Sequence, residues 1–246
     1  MREVGVTRYV TPLREGGSLP AIVEADDRGM YVLKFRGAGQ GAKALVAEIV
    51  AGGLARAAGL TVPDIVLARL DPDLARSEPD PEIQELIRAS AGLNVALDYL
   101  PGSVMFDPVA DRPDSLLASS IVWFDAFVSN IDRTARNTNM LMWHGRLWLI
   151  DHGAALYVHH MKDDFRERAR EPFAQVKDHV LLRAADRIME ADALLAPRLT
   201  RPVLEAVLAD VPREWVADAA VYVDYLEARL ASPRAFVEEA LRARDV

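Results

Sequence analysis

The chain has 246 residues, of which 51% are hydrophobic and 27% are charged, and these values are typical of a globular protein with one large or two small domains. The formal net charge of −8 argues against a nucleic-acid surface, and neither an apolar leader nor an apolar membrane span is found, so we expect a cytoplasmic protein without a membrane partner. Because cysteine is absent, disulfides, thiolate metal sites and thiol nucleophiles are excluded.

The first part of the chain predicts an antiparallel meander with a glycine-rich first turn. The stretches with strand-forming side chains are 4–10, 21–25 and 30–35. The first turn contains Gly16, Gly17 and Ser18. Because glycine lets the backbone approach a ligand closely, such a turn can lay N–H groups against phosphate oxygens. A simple flexible turn is an equally good interpretation.

Lys34 lies in the third of these strands, between apolar neighbours. A charge in that position usually marks the solvent face of a half-buried strand. The helix predicted for residues 42–58 has Glu48 as its only acid, and its other residues are mostly apolar. A carboxylate in so apolar a helix needs a partner. We therefore predict an ion pair between Lys34 and Glu48, in which the lysine reaches the phosphates of ATP.

Residues 37–42 also match the dinucleotide-binding pattern G-x-G-x-x-A, with Asp71 at the end of a strand predicted for residues 65–70. Three features argue against an NAD(P)-dependent oxidoreductase. Lys34 interrupts the preceding strand, whereas a central parallel strand is apolar on both faces. Asp71 lies beyond the usual spacing of about 20 residues. No second βαβαβ half follows in the sequence.

The middle of the chain predicts a helix at 83–91, a strand at 94–100 and an apolar helix at 115–128. Pro101 and Gly102 end the strand. The apolar helix leads directly into a polar loop. Asp125 near its end is expected to be a buried, bonded acid that braces this loop, with a surface residue as the alternative.

A hairpin follows the polar loop. Its tight turn is predicted at His144 and Gly145, and its second strand ends in the apolar residues 147–150. The hairpin would bring Asn137, just before the first strand, close to Asp151, just after the second. Oxygen ligands of this kind hold Mg²⁺, which completes its coordination with waters and substrate phosphates.

The spacing within the loop is that of a phosphotransferase site. Asp132 precedes Asn137 by five residues, and Asp151 opens an Asp-x-Gly triplet. In kinases an Asp at this spacing accepts the proton of the acceptor hydroxyl, while the Asn and the later Asp hold metal. An ordinary hairpin with Asp and Asn as turn residues remains the alternative.

The remainder of the chain is predicted to be a helical scaffold. The predicted helices are 164–171, 174–187, 192–198, 201–210, 213–231 and 233–244.

On the Asn130-x-Asp132-Arg133 motif, Asn137, the Asp151-His152-Gly153 triplet and the Lys34–Glu48 pair, the chain resembles the HipA-like kinase family in its short form. The resemblance implies an α+β, two-lobed protein-kinase-like fold. Its N-lobe, residues 1–101, would hold an antiparallel sheet and one main helix. Its C-lobe, residues 102–246, would be mostly helical.

The resemblance also implies site roles. Asp132 would be the catalytic base, and Asn137 and Asp151 would hold Mg²⁺. The residues that it assigns to ATP are Lys34, Glu48, the covering loop Gly16, Gly17 and Ser18, and a hinge at Asp98, Tyr99 and Leu100 whose backbone would bond adenine. A plain strand end is an equally good interpretation of the hinge residues.

The expected reaction is transfer of the γ-phosphoryl group to a hydroxyl of an unidentified acceptor, with Ser or Thr of a protein as the first choice. A small-molecule kinase, a lipid kinase or a nucleotide-binding pseudokinase are the alternatives. The chain departs from protein kinases in that Arg133 follows Asp132 and His152 replaces the Phe of the metal-binding triplet.

Overall fold

A computed structural model describes residues 1–13, 19–161 and 164–245. The predicted nucleotide-covering loop, Gly16 to Ser18, lies outside the described residues. The first half of the fold contains the elements β1 (Glu3–Pro12), β2 (Ala21–Ala25), β3 (Met30–Lys34), α1 (Ala42–Ala58), β4 (Ile65–Leu70), α2 (Pro81–Ala89) and β5 (Gly92–Asp98).

These strands form a closed barrel in the order β1-β2-β3-β5-β4. Along β3 the burial alternates, so that Tyr31 and Leu33 point into the barrel while Lys34 points away from its interior. The inward residues form one hydrophobic cluster, which α2 covers with Ile83 and Ile87. The strand pattern therefore places Lys34 on the outer face of the barrel.

The predicted sheet was antiparallel throughout, and one pair differs. β1 runs parallel to β4, with Glu3 opposite Leu67 and Gly5 opposite Arg69, and this pair closes the barrel. β3 is antiparallel to both of its neighbours. The glycines of residues 37–42 thus do not follow a central parallel strand, and the dinucleotide-binding interpretation is wrong.

Helix α1 lies between the barrel and the helical part of the chain. It begins after Gly41 and ends at Gly59, whose φ of 92° gives the left-handed C-cap that favours glycine. Most of its residues are buried, including Glu48. Its apolar side chains belong to the same hydrophobic cluster as those of the helices that follow the barrel.

The second half of the fold contains β6 (Val104–Met105), α3 (Ser115–Phe127), β7 (Met140–Trp143), β8 (Arg146–Leu149), α4 (Ile188–Leu195), α5 (Arg201–Leu208), α6 (Ala219–Leu230) and α7 (Ala235–Arg244). A small antiparallel sheet has the order β6-β7-β8. The buried aromatic side chains of α3, among them Trp123 and Phe127, pack against Phe236 of α7. In the described parts of the chain, no helix has the length and apolarity needed to cross a membrane.

The prediction of helices at 164–171 and 174–187 is wrong. These stretches contain short 3₁₀ turns, Phe165–Arg168, Ala174–Asp178 and Leu182–Ala184. The backbone near His179 is used elsewhere, because Thr134 forms a β-bridge with His179 and the Val180 N–H donates to the carbonyl of Arg133 at 3.1 Å. A continuous helix would have to break both contacts.

The helix predicted at 213–231 begins later, at Ala219. Asp218 is its N-cap, and its carboxylate accepts the Ala220 N–H at 2.9 Å. Residues 212–215 form a turn instead, in which the Trp215 N–H donates to the Pro212 carbonyl.

Candidate active site

The polar loop after α3 starts from a sharp reversal of the chain. Ser129 has a φ of 53°, and the Asn130 N–H donates to the carbonyl of Asp125 at 2.8 Å. The Asn130 side chain then accepts the Asp132 N–H at 3.1 Å. The loop is thus attached to the end of α3 by side-chain and backbone hydrogen bonds.

Asp132 is half-buried, and one of its carboxylate oxygens is held by two amides. Asn137 donates to Asp132 Oδ2 at 2.8 Å, and Asn139 donates to the same oxygen at 3.1 Å. Burial raises the pKa of Asp132, and the negative charge of Asp151 adds to the rise. Both amides bond Oδ2, and none of the hydrogen bonds of the described residues involves the other oxygen, Oδ1.

A buried cluster of charged and polar side chains around Asp125 stabilises this loop. Asp125 is fully buried and accepts hydrogen bonds from Arg133 Nε at 2.5 Å, Asn130 Nδ2 at 2.9 Å and His179 Nε2 at 3.0 Å. Burial alone would raise the pKa of Asp125, but the charge of Arg133 and the bond from His179 hold it well below its usual range. The prediction that Asp125 is a buried, bonded acid agrees with these contacts.

His179 joins the cluster through both of its ring nitrogens. Its Nδ1 accepts the Leu181 N–H at 3.0 Å, so the ring proton lies on Nε2, which donates to Asp125. His179 is not among the residues that the sequence predicts for the site. No local motif marks it, because it lies 54 residues from Asp125 and in a segment predicted to be helical.

The hairpin brings the last acid of the motif to the same region. His144 and Gly145 have φ values of 48° and 70°, which suit the tight turn between β7 and β8. The Ile150 N–H donates to the carbonyl of Asn139 at 3.0 Å, which ties the end of the hairpin to the loop. Asp151 follows with a φ of 53° and a side chain that is 38% exposed.

Lys34 joins the barrel, α1 and the hairpin. Its ammonium group donates to Glu48 Oε2 at 2.6 Å and to Asp151 Oδ1 at 2.5 Å. Burial by itself lowers the pKa of Lys34, but the charges of Glu48 and Asp151 outweigh it and raise the pKa above the ordinary value. In Glu48 burial raises the pKa, and the charge of Lys34 reverses this, so that the carboxylate stays ionised.

Positive φ values cluster around these side chains. Besides Ser129 and Asp151, the residues Asn139 and Leu156 have φ values of 48° and 52°. Such backbone costs about 1–3 kcal/mol per residue and persists where the surroundings impose it. Here the surrounding hydrogen bonds hold the loop and the hairpin end in place.

The predicted hinge residues lie at the end of β5 and just after it, and two of their backbone N–H groups already donate hydrogen bonds within the protein. Asp98 donates to the carbonyl of Asp64 at 2.8 Å, and Tyr99 donates to that of Met30 at 3.0 Å. Among the hydrogen bonds of the described residues, none is donated by the Leu100 N–H.

The oxygen atoms of Asp151 and Asn137 are of the kind that bind a hard cation. Asp151 uses one oxygen for Lys34 and is partly exposed, and Asn137 is exposed with its amide nitrogen turned to Asp132. Carboxylate and amide oxygens in such a half-open site are ligands that Mg²⁺ accepts. Within the described ranges, no group of three or more His, Asp or Glu side chains is arranged to hold a metal on its own. A metal here would take the rest of its shell from water and substrate.

A scan against protein-family models matches residues 6–241 to the HipA-like kinases. The chain belongs to the HipA-like kinase family. The prediction of a kinase is thereby confirmed, at the level of a phosphotransferase. No curated protein matches the sequence.

Solved kinase structures share the fold of this HipA-like kinase. The Helicobacter pylori proinflammatory kinase CtkA superposes with a TM-score of 0.56 at 11% identity, over 100% of this chain and 98% of that one. The Golgi casein kinase with Mn and ADP bound superposes with a TM-score of 0.56 at 12% identity, over 100% of this chain and 75% of the casein kinase chain. The predicted two-lobed protein-kinase-like fold is confirmed, and the N-terminal sheet, predicted only as antiparallel, closes into a barrel.

Proposed function

We propose that this HipA-like kinase transfers the γ-phosphoryl group of ATP, with Mg²⁺, to a serine or threonine hydroxyl of a protein. The observation that carries the proposal is the contact of Lys34 with both Glu48 and Asp151, beside the carboxylate of Asp132. Phosphoryl transfer asks a protein mainly for positioning and for stabilisation of charge, and these side chains supply both.

Lys34 is assigned to the nucleotide phosphates. An ammonium group has three N–H donors, and Glu48 and Asp151 use two of them. The third remains for a phosphate oxygen. Glu48 keeps the lysine charged and oriented, and the Leu100 N–H with the covering loop Gly16, Gly17 and Ser18 would hold the rest of the nucleotide.

Asp151 and Asn137 would hold Mg²⁺, which supplies neutralisation of phosphate charge when bound. Asp132 accepts the proton of the acceptor hydroxyl through Oδ1. Its raised pKa makes it a better proton acceptor than an ordinary aspartate.

The comparisons support two parts of this assignment. The Golgi casein kinase of the same fold holds Mn and ADP, which favours a nucleotide and a divalent cation for this chain as well. The name of that enzyme, casein kinase, indicates a protein as its phosphate acceptor, and this supports a protein acceptor for the present chain. We propose residues 1–101 as the nucleotide-covering lobe and residues 102–246 as the catalytic lobe, joined after the hinge.

The first experiment is a calorimetric titration of the purified protein with ATP, with and without Mg²⁺, and with NADH as the comparison. We expect ATP binding that depends on Mg²⁺ and no NADH binding. Asp151→Asn should weaken the Mg²⁺-dependent component of ATP binding by at least about tenfold, because the substitution removes a charged ligand. Unchanged binding would rule out Asp151 as a main ligand.

Transfer itself is measured with γ-labelled ATP and casein as a test acceptor. Asp132→Asn should lower the rate about 10²–10⁴-fold, as expected for loss of a general base, with ATP affinity nearly unchanged. The exposed Glu205→Gln is the matched control. ATP binding without transfer to casein, to a mixture of small alcohols or to lipid vesicles would contradict the proposal in favour of a pseudokinase. Transfer to an alcohol or a lipid alone would overturn the protein acceptor.

A further inference from the structure

His152, the second residue of the Asp-x-Gly triplet, is fully buried beside Glu48. Its Nδ1 lies 3.4 Å from Glu48 Oε1. Among the residues that the structure describes, neither ring nitrogen of His152 nor Glu48 Oε1 has a hydrogen-bond partner. A buried polar group without a partner costs about 1–3 kcal/mol, so this arrangement needs a reason.

The two oxygens of Glu48 face different neighbours. Oε2 accepts from Lys34, and Oε1 faces His152. After burial and the charge of Lys34, His152 is the next influence on the pKa of Glu48, which it lowers. The carboxylate therefore lies between the ammonium group and the imidazole.

The geometry is close to that of a hydrogen bond. A normal N–H···O distance is about 2.7–3.2 Å, so the pair is only a few tenths of an ångström too long. The segment that carries His152 packs directly on α1, since the carbonyl of Ala44 lies 3.7 Å from the position of a Cβ at Gly153. A small approach of this segment to α1 would complete the bond.

We propose that His152 is a positioning residue for the reaction. Its Nδ1–H donates to Glu48 Oε1 in the working state of the enzyme, fixes the rotation of the carboxylate and thereby directs Lys34 at the phosphates. The contact also couples the segment after Asp151 to α1. This inference rests on the proposed function of Lys34 and Glu48. The Phe of protein kinases, lacking a donor, would leave Oε1 unbonded.

The test compares His152→Asn, His152→Gln and His152→Leu. The Asn amide nitrogen replaces Nδ1, whereas the Gln nitrogen lies at the place of Nε2. We expect kcat/KM for ATP to stay within about threefold in the Asn variant and to fall at least about tenfold in the Gln and Leu variants.

Stability separates positioning from packing. Because Leu removes two unpartnered nitrogens, we expect the Tm of His152→Leu to equal or exceed that of the wild type while its activity falls. Parallel loss of Tm and activity in all three variants would overturn the proposal, and so would equal activity of the Asn and Gln variants.

A double-mutant cycle with Glu48→Gln tests whether His152 acts through Glu48. We expect His152→Leu to change kcat/KM little once Glu48 is Gln, whereas additive losses would overturn the proposal. If the wild type neither binds ATP nor transfers phosphate, the proposed function fails instead. In that case the contact is tested by measuring the free energies of unfolding of the same single and double variants. Additive changes in these free energies would show that His152 and Glu48 do not interact.

Discussion

Two carboxylates without solvent contact, Glu48 and Asp125, hold the cations of the site. Glu48 bonds Lys34, and Asp125 bonds Arg133 together with His179. A buried charge is tolerated only when it is paired and hydrogen-bonded. Breaking such a pair by removing one member leaves the other charge buried, which is the costly case.

Asp125→Asn should therefore lower the free energy of unfolding by about 3–5 kcal/mol at pH 7. The pKa of Asp125 is lowered in the folded protein, so its contribution to stability is complete above the unfolded value of about 3.9 and is lost as pH falls below it. Urea unfolding between pH 7 and pH 3 should thus show a shallower loss of stability in the variant than in the wild type.

Glu205→Gln is the control for this prediction, because Glu205 forms an exposed i,i+4 pair with Arg201. Its effect should stay within about 0.5 kcal/mol. An Asp125→Asn protein that follows the pH dependence of the wild type would show that Asp125 does not contribute through its charge.

At the scale of elements, caps define where the helices of the catalytic region begin. Asp114 precedes α3, and its carboxylate accepts the N–H groups of Leu116 at 2.9 Å and Leu117 at 3.2 Å. Thr200 occupies the same position before α5 without a side-chain cap bond. The two helices therefore offer a matched comparison.

Asp114→Ala should cost about 0.5–2 kcal/mol of stability, since it removes a bonded N-cap. Thr200→Ala should cost less, because no cap bond is lost. Both variants should keep phosphotransfer activity near that of the wild type at temperatures well below unfolding. Thermal unfolding of the two proteins checks the difference, and equal losses would contradict it.

Elements with a strong local pattern were predicted well, and elements set by distant contacts were not. Long apolar runs predict helices α1 and α3, and the sequence of the tight turn predicts the β7–β8 hairpin. The stretch at 174–187 has helical periodicity, yet its backbone bonds the catalytic loop instead. Tertiary contacts outweighed local propensity there.

At the scale of the whole molecule, α1 connects the barrel with the helical part. Gly52 lies against Ile65 of β4, and Gly53 lies against Val207 of α5. A Cβ at Gly53 would be 2.8 Å from one methyl of Val207 and 3.3 Å from the other, which is closer than side chains normally pack. The missing side chains let α1 approach both of its neighbours closely.

Gly53→Ala should therefore destabilise the protein, although Ala is favoured over Gly in a helix by about 1 kcal/mol. Overpacking of this kind costs about 1–3 kcal/mol. Val207→Ala in addition should recover part of the loss, because it removes the methyl groups in conflict. Thermal unfolding of the single and double variants measures this, and a stabilised Gly53→Ala protein would contradict the close contact.

The sequence by itself determined the local parts of the site. The spacing of Asp132 and Asn137, the hairpin that ends at Asp151, and the pairing of Lys34 with Glu48 all follow from composition and periodicity over short stretches. These patterns are readable because turn geometry and strand alternation depend on neighbouring residues.

Only the tertiary structure decided which of these parts meet. The Lys34–Asp151 contact joins residues 117 apart, and Asp125 and His179 lie 54 apart. The parallel pairing of β1 with β4 and the burial of His152 against Glu48 are likewise long-range. Such contacts form when hydrophobic burial brings distant segments together, and no short stretch of sequence specifies them.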